Sequence, residues 1–209
     1  MTTSLRDQLR LYLVFDPDVA VGDPLTIVRA ALDAGVTMIQ LRAKHRTDRE
    51  ILELAAPLRM ACRRHRVPFI MNDRLDLALA CDADGVHLGV DDLPLIAARR
   101  LGGRDFIVGY SPDTDAQARD AAANGASYLG IGPVYATSTK ADAGAALGLD
   151  EFARRRALTE LPVVGIGGIG TGNAAPVIAA GADGVAVVSA IVRQADPAQA
   201  TRTLLATLG

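Results

Sequence analysis

The fold this sequence predicts is an α/β fold, a single-domain (β/α)8 TIM barrel over residues 1–209, and three observations predict it. Short apolar runs recur eight times, one per roughly 26 residues, which is the length of a strand-plus-helix unit. Several runs are apolar without alternation, as suits strands buried on both faces of a parallel sheet. The tetrapeptide Ala83-Asp84-Gly85-Val86 returns as Ala182-Asp183-Gly184-Val185, a shift of 99 residues or about four units, as two half-barrels would show. An open doubly wound sheet is the alternative, because a strand count does not by itself close a barrel.

In order, the predicted strands are LYLVF (11–15), TMIQL (37–41), PFIM (68–71), GVHL (85–88), FIVGY (106–110), SYLGI (127–131), PVVGI (162–166) and GVAVV (184–188). After the second, Ile51, Leu54, Ala55, Leu58 and Cys62 fall at steps of three and four, which predicts a helix over 48–64. Gly35, Gly125 and Gly181 each close a helical stretch just before a strand, where a left-handed residue is wanted. The run Arg63-Arg64-His65-Arg66 reads as a solvated helix end. No Ser/Gly linker divides the chain. The longest polar stretch, 132–148, follows the sixth strand and would lie at the C-terminal mouth of a barrel, where active sites are built.

Composition narrows the function. Half the residues are hydrophobic and 22% are charged, which excludes a disordered chain. Aromatics make up 4% with no Trp, so the core is built from Ala, Val, Ile and Leu. A formal net charge of -2 argues against a nucleic-acid or acidic-membrane partner. Cys62 and Cys81 have no zinc-site spacing, and the first apolar run is too short for a signal-peptide core. Nor does any run approach the roughly 18 apolar residues of a membrane span. The expected setting is the cytoplasm.

Chemistry concentrates at predicted strand ends. Gln40, Arg42 and Lys44 share one side of the second strand and its loop, opposite Leu41, and make a clamp for an anion. Asn72-Asp73 ends the third strand and His87 to Asp92 the fourth. Carboxylates from these neighbouring ends, with either Asp91 or Asp92 in reach, would hold a Mg2+ that bridges to a phosphorylated substrate. Gly165-Ile166-Gly167-Gly168-Ile169 follows the seventh strand, where barrels bind phosphate through backbone N–H groups. Two anion sites around one mouth, with no activated Cys or Ser, point to a transfer or condensation driven by positioning and charge stabilisation.

Gln40-Leu41-Arg42-x-Lys44, Asn72-Asp73, Gly85-Val86-His87-Leu88-Gly89-x-x-Asp92, Gly109-x-Ser111, Gly130-x-Gly132-Pro133-Val134-Tyr135-x-Thr137-x-Thr139-Lys140 and the glycine run together resemble the thiamine phosphate synthase family. The resemblance implies a (β/α)8 barrel that joins hydroxymethylpyrimidine pyrophosphate to thiazole phosphate, giving thiamine phosphate and pyrophosphate. It implies that Gln40, Leu41, Arg42, Ala43, Lys44, Asn72, Ser111 and Lys140 bind the pyrimidine pyrophosphate. Arg42, Lys44, Ser111 and Lys140 are the implied catalytic set, and Asp73 and Asp92 the implied ligands of Mg2+. Thr137, Ser138, Thr139, Gly168, Val188 and Ser189 would hold the thiazole phosphate. Val90, Tyr110 and Ala141 depart from the family's usual residues, and Tyr110 is expected to reshape the pyrimidine pocket. Two other readings are a thiazole tautomerase, in which His87 would act as base, and a non-catalytic thiamine-phosphate-binding regulator. Asn72, Asp73, Asp92 and Lys140 together favour the synthase over the tautomerase, and the two carboxylates with Lys140 favour it over the regulator.

Overall fold

A computed structural model describes residues 4–137 and 144–209. Its strands are β1 (Leu11–Phe15), β2 (Met38–Leu41), β3 (Phe69–Asn72), β4 (Gly85–Leu88), β5 (Ile107–Tyr110), β6 (Tyr128–Ile131), β7 (Val163–Ile166) and β8 (Gly184–Val187). All pair in parallel with their sequence neighbours, and β8 pairs back onto β1, so the sheet closes into a barrel. The helices are α1 (Leu5–Gln8), α2 (Pro24–Asp33), α3 (Asp48–His65), α4 (Leu75–Ala80), α5 (Leu95–Gly102), α6 (Asp115–Asp120), α7 (Gly148–Arg156), α8 (Ala174–Ala179), α9 (Ser189–Val192) and α10 (Pro197–Thr207). Closure removes the open-sheet alternative. Among the described residues no helix is long and apolar enough to cross a membrane.

Each predicted run contains its strand to within a residue or two. β1 is buried along its whole length, as a strand covered on both faces must be. The predicted helix over 48–64 is α3, started by a capping box in which Thr47 and Glu50 exchange side-chain and backbone hydrogen bonds. Gly35, Gly125 and Gly181 take φ of +102°, +99° and +99°, the left-handed helix ends their spacing predicts.

Two cores result. Outward residues of the strands, such as Leu13, Leu41 and Val108, pack under the helices. Inside the barrel a smaller cluster joins Leu9, Tyr12, Val14, Met38, Ile70, Tyr128, Val164 and Ala186.

The tetrapeptide repeat has a mechanical reason. The Asp84 carboxylate accepts the Phe69 N–H that opens β3, and Asp183 does the same for Val163 at the start of β7, both at 2.8 Å. Thr37 Oγ1 likewise takes the Leu11 N–H at 2.9 Å, and Ser127 Oγ the Val108 N–H at 3.1 Å. A short polar side chain just before each even strand therefore satisfies an N–H at the start of the odd strand before it. The glycines that follow Asp84 and Asp183 leave room for backbone. A Cβ on Gly85 would lie 2.2 Å from the Ile107 carbonyl oxygen, and one on Gly184 1.9 Å from that of Leu9.

Candidate active site

Strand direction gathers the inward side chains at the C-terminal ends around a cavity of about 260 Å3. Tyr12, Asp16, Gln40, Arg42, Lys44, Asn72, Asp73, His87 and Ser111 line one side of it. Gly167, Gly168, Val188 and Ser189 line the other, and Thr137 stands at the edge.

Gln40 is 3% exposed, and its Nε2 donates to the Tyr12 hydroxyl at 2.6 Å. Arg42 is held by an ion pair with Asp16, which is itself 3% exposed. An ion pair buried this far is directional, and it fixes the guanidinium at the mouth. Lys44 Nζ lies 3.1 Å from Asp73 Oδ2. Asp73 takes a left-handed φ of +60°, and its N–H donates to the His87 carbonyl at 2.8 Å. Asp is one of the few non-glycine residues that tolerate this conformation, which turns the carboxylate from the end of β3 toward the end of β4.

Asp92 accepts the Gly89 N–H at 2.6 Å. Burial holds its carboxyl above the ordinary carboxylate range; the adjoining Asp73 carboxyl adds to this, while the Gly89 N–H and Lys44 oppose it. Among the described residues no group of three or more His, Cys, Asp and Glu side chains converges on one point.

His87 Nδ1 lies 2.9 Å from the Tyr128 hydroxyl and Nε2 lies 2.8 Å from Ser111 Oγ. Across the mouth, Gly167 and Gly168 take φ of +95° and +66°. A Cβ at these positions would come within 2.5 Å of Pro133 and 2.6 Å of the Ala136 carbonyl oxygen. Close packing against the loop after β6 therefore accounts for these glycines without a ligand, alongside the open backbone they offer. Asn173 clamps the loop, accepting from Gly170 N at 2.7 Å and donating to the Gly168 carbonyl at 2.9 Å. Among the described residues, the N–H groups of Gly168 and Ile169 have no protein acceptor.

Several sequence expectations are redirected. Leu41 and Ala43 pack into the outer core, so their side chains do not line the cavity. Tyr110 faces the helices, because Gly109 takes the inward place on β5, and it does not reshape the cavity. Ser138, Thr139, Lys140 and Ala141 lie outside the described residues. Asp16, Tyr12, Tyr128 and Asn173 are additions that the motifs do not contain.

Residues 11–191 match the family model described as thiamine monophosphate synthase. The chain belongs to this family. It is 49% identical to the thiamine-phosphate synthase of Moorella thermoacetica, over 94% of each chain. It is 50% identical over 96% of its length to the thiamine biosynthesis bifunctional protein ThiM/ThiE of Symbiobacterium thermophilum, of which it spans 41%. The thiamine phosphate pyrophosphorylase of Pyrococcus furiosus superposes with a TM-score of 0.89 at 38% identity, covering 98% of both chains. Membership makes the chain a transferase of thiamine biosynthesis, a thiamine monophosphate synthase built on a closed (β/α)8 barrel.

Proposed function

We propose that this synthase joins 4-amino-2-methyl-5-hydroxymethylpyrimidine pyrophosphate to thiazole phosphate by a dissociative route, with both substrates in the cavity at the mouth of the barrel. The observation that carries this reading is the arrangement of Arg42 and Lys44 around one side of the cavity, opposite open backbone N–H groups at Gly168 and Ile169. Such a mouth receives two phosphorylated groups from opposite sides.

Arg42 and Lys44 would hold the pyrophosphate, joined by Ser111 and, from outside the described residues, Lys140. Gln40 and Asn72 would position the pyrimidine side. The C–O bond to pyrophosphate breaks and its electron pair leaves with the pyrophosphate. The pyrimidine amino group stabilises the methyl cation that remains, and the thiazole nitrogen supplies the pair that forms the new C–N bond. No covalent enzyme intermediate is needed. Gly168, Val188 and Ser189, with Thr137, Ser138 and Thr139, would hold the thiazole phosphate.

Asp73 and Asp92 fit a Mg2+ site: two adjoining carboxyl groups, one of them pushed upward by burial and by the other, already drawing the Lys44 ammonium. Magnesium needs only one or two carboxylates when substrate phosphates complete its oxygen shell. When bound there it would neutralise charge on the departing pyrophosphate. Asn72, Asp73 and Asp92 at adjoining strand ends support the synthase over a tautomerase, which would need neither a pyrophosphate nor a metal site. The free thiols of Cys62 and Cys81 fit a reducing compartment, and we place the protein in the cytoplasm.

Incubation with both substrates and Mg2+ should release pyrophosphate and form thiamine phosphate, and EDTA should stop it. Product formation unchanged by thorough chelation would remove the metal from the mechanism; no product at all would remove the proposed reaction.

A further inference from the structure

A chain of polar side chains runs through the otherwise apolar barrel interior. Gln40 Nε2 donates to the Tyr12 hydroxyl at 2.6 Å, and Tyr12 and Tyr128 share a hydrogen bond of 2.8 Å. Tyr128 meets His87 Nδ1 at 2.9 Å, and His87 Nε2 meets Ser111 Oγ at 2.8 Å. Tyr128 is 0% exposed and lies behind the cavity rather than on its wall. Two glycines make the chain possible. A Cβ at Gly109 would lie 2.3 Å from the Tyr128 hydroxyl and 2.4 Å from His87 Nδ1; one at Gly130 would crowd Ser111 Oγ at 3.3 Å.

The chain has a direction. A phenol has one proton to give. With Gln40 donating to Tyr12, the favoured arrangement has the Tyr12 O–H pointing at the Tyr128 oxygen and the Tyr128 O–H pointing at His87 Nδ1. His87 Nε2 then carries the hydrogen and donates to Ser111 Oγ, so the serine proton is turned away from His87. Burial raises both phenols far above their ordinary range, so each keeps the one proton this direction requires. An anion at the mouth favours the same direction, since it needs a donor and would repel hydroxyl lone pairs.

We propose that Tyr128 and Tyr12 are positioning residues: through His87 they hold its Nε2–H tautomer and aim the Ser111 hydroxyl proton at the pyrophosphate. The inference rests on Ser111 meeting the pyrophosphate, as in the function proposed above. No proton is transferred; the chain acts by orientation.

The test uses protein labelled with nitrogen-15 histidine. Of its three histidines, His45 and His65 are identified by the His45→Gln and His65→Gln variants. The wild type should show His87 as the Nε2–H tautomer. Tyr128→Phe keeps the ring but breaks the link, so His87 should spread over both tautomers. The KM for pyrimidine pyrophosphate should rise about tenfold, the worth of one hydrogen bond, with the KM for thiazole phosphate unchanged. Tyr12→Phe breaks the chain one link further away and should act in the same direction more weakly; it serves if Tyr128→Phe does not fold. An Nδ1–H tautomer in the wild type overturns the proposal. So does a Tyr128→Phe or Tyr12→Phe protein with unaltered tautomer and KM. The spectra need no turnover, so an inactive wild type would refute the proposed reaction while the tautomer still judged the chain.

Discussion

Asp16 and Arg42 show how the same residue rule both finds and overlooks a site. Period two marks Gln40, Arg42 and Lys44 as inward-facing on β2, and the identical count on β1 gives Tyr12, Val14 and Asp16. Asp16 is overlooked because a single Asp after a strand also reads as a turn residue; the cavity and the ion pair give it its place. Asp16→Asn keeps the shape and removes the charge that fixes Arg42. We expect a KM for pyrimidine pyrophosphate about tenfold higher, an unchanged KM for thiazole phosphate and an unchanged circular dichroism spectrum. Steady-state kinetics against each substrate checks this. Gly109→Ala places a methyl group against Tyr128 and His87. Overpacking of this kind costs about 1–3 kcal/mol, read as a lower denaturant midpoint.

Strands and helices were more legible than the contacts that join them. Eight apolar runs locate eight strands, since burial on both faces leaves a local mark. The polar residue before each even strand leaves none, because Thr37, Asp84, Ser127 and Asp183 are ordinary loop residues until the register sets them beside an N–H of the preceding strand. Asp84→Ala leaves the Phe69 N–H without its side-chain acceptor and should lower stability by about 1–3 kcal/mol, measured by urea unfolding. The basic helix end 63–66 also gains a partner: His65 Nδ1 faces the Ala61 carbonyl at 2.9 Å and Nε2 faces Asp33 on α2 at 2.8 Å.

Both nitrogens face acceptors, so the charged imidazole is favoured. The Ala61 carbonyl first and Asp33 second raise its pKa above 6.5. A raised histidine pKa contributes stability that is full below the unfolded value and lost as pH rises through the folded value. The melting temperature should therefore drop across that window. For so exposed a pair the drop is about 1 °C, and Asp33→Asn should reduce it, leaving the share due to the Ala61 carbonyl.

At the scale of the whole molecule, a net charge of -2 conceals a local clustering of paired charges. Arg42 and Lys44 gather with Asp16 and Asp73 at the mouth, where phosphates would be handled, and the four-unit repeat beneath them is the scaffold that keeps the strand ends in register. The mouth was readable from ordered motifs because each runs through or just past the C-terminal end of a strand. The interior hydrogen-bond chain was not, because Tyr12 and Tyr128 look like core aromatics until the barrel closes and brings residues 116 positions apart to 2.8 Å.

A crystal structure with pyrophosphate, Mg2+ and thiazole phosphate tests the central claim most directly. Pyrophosphate should lie against Arg42, Lys44 and Ser111, the cation on Asp73 and Asp92, and the thiazole phosphate against Gly168 and Ser189. Ligands bound outside this mouth, or with the two phosphate sites exchanged, would contradict it.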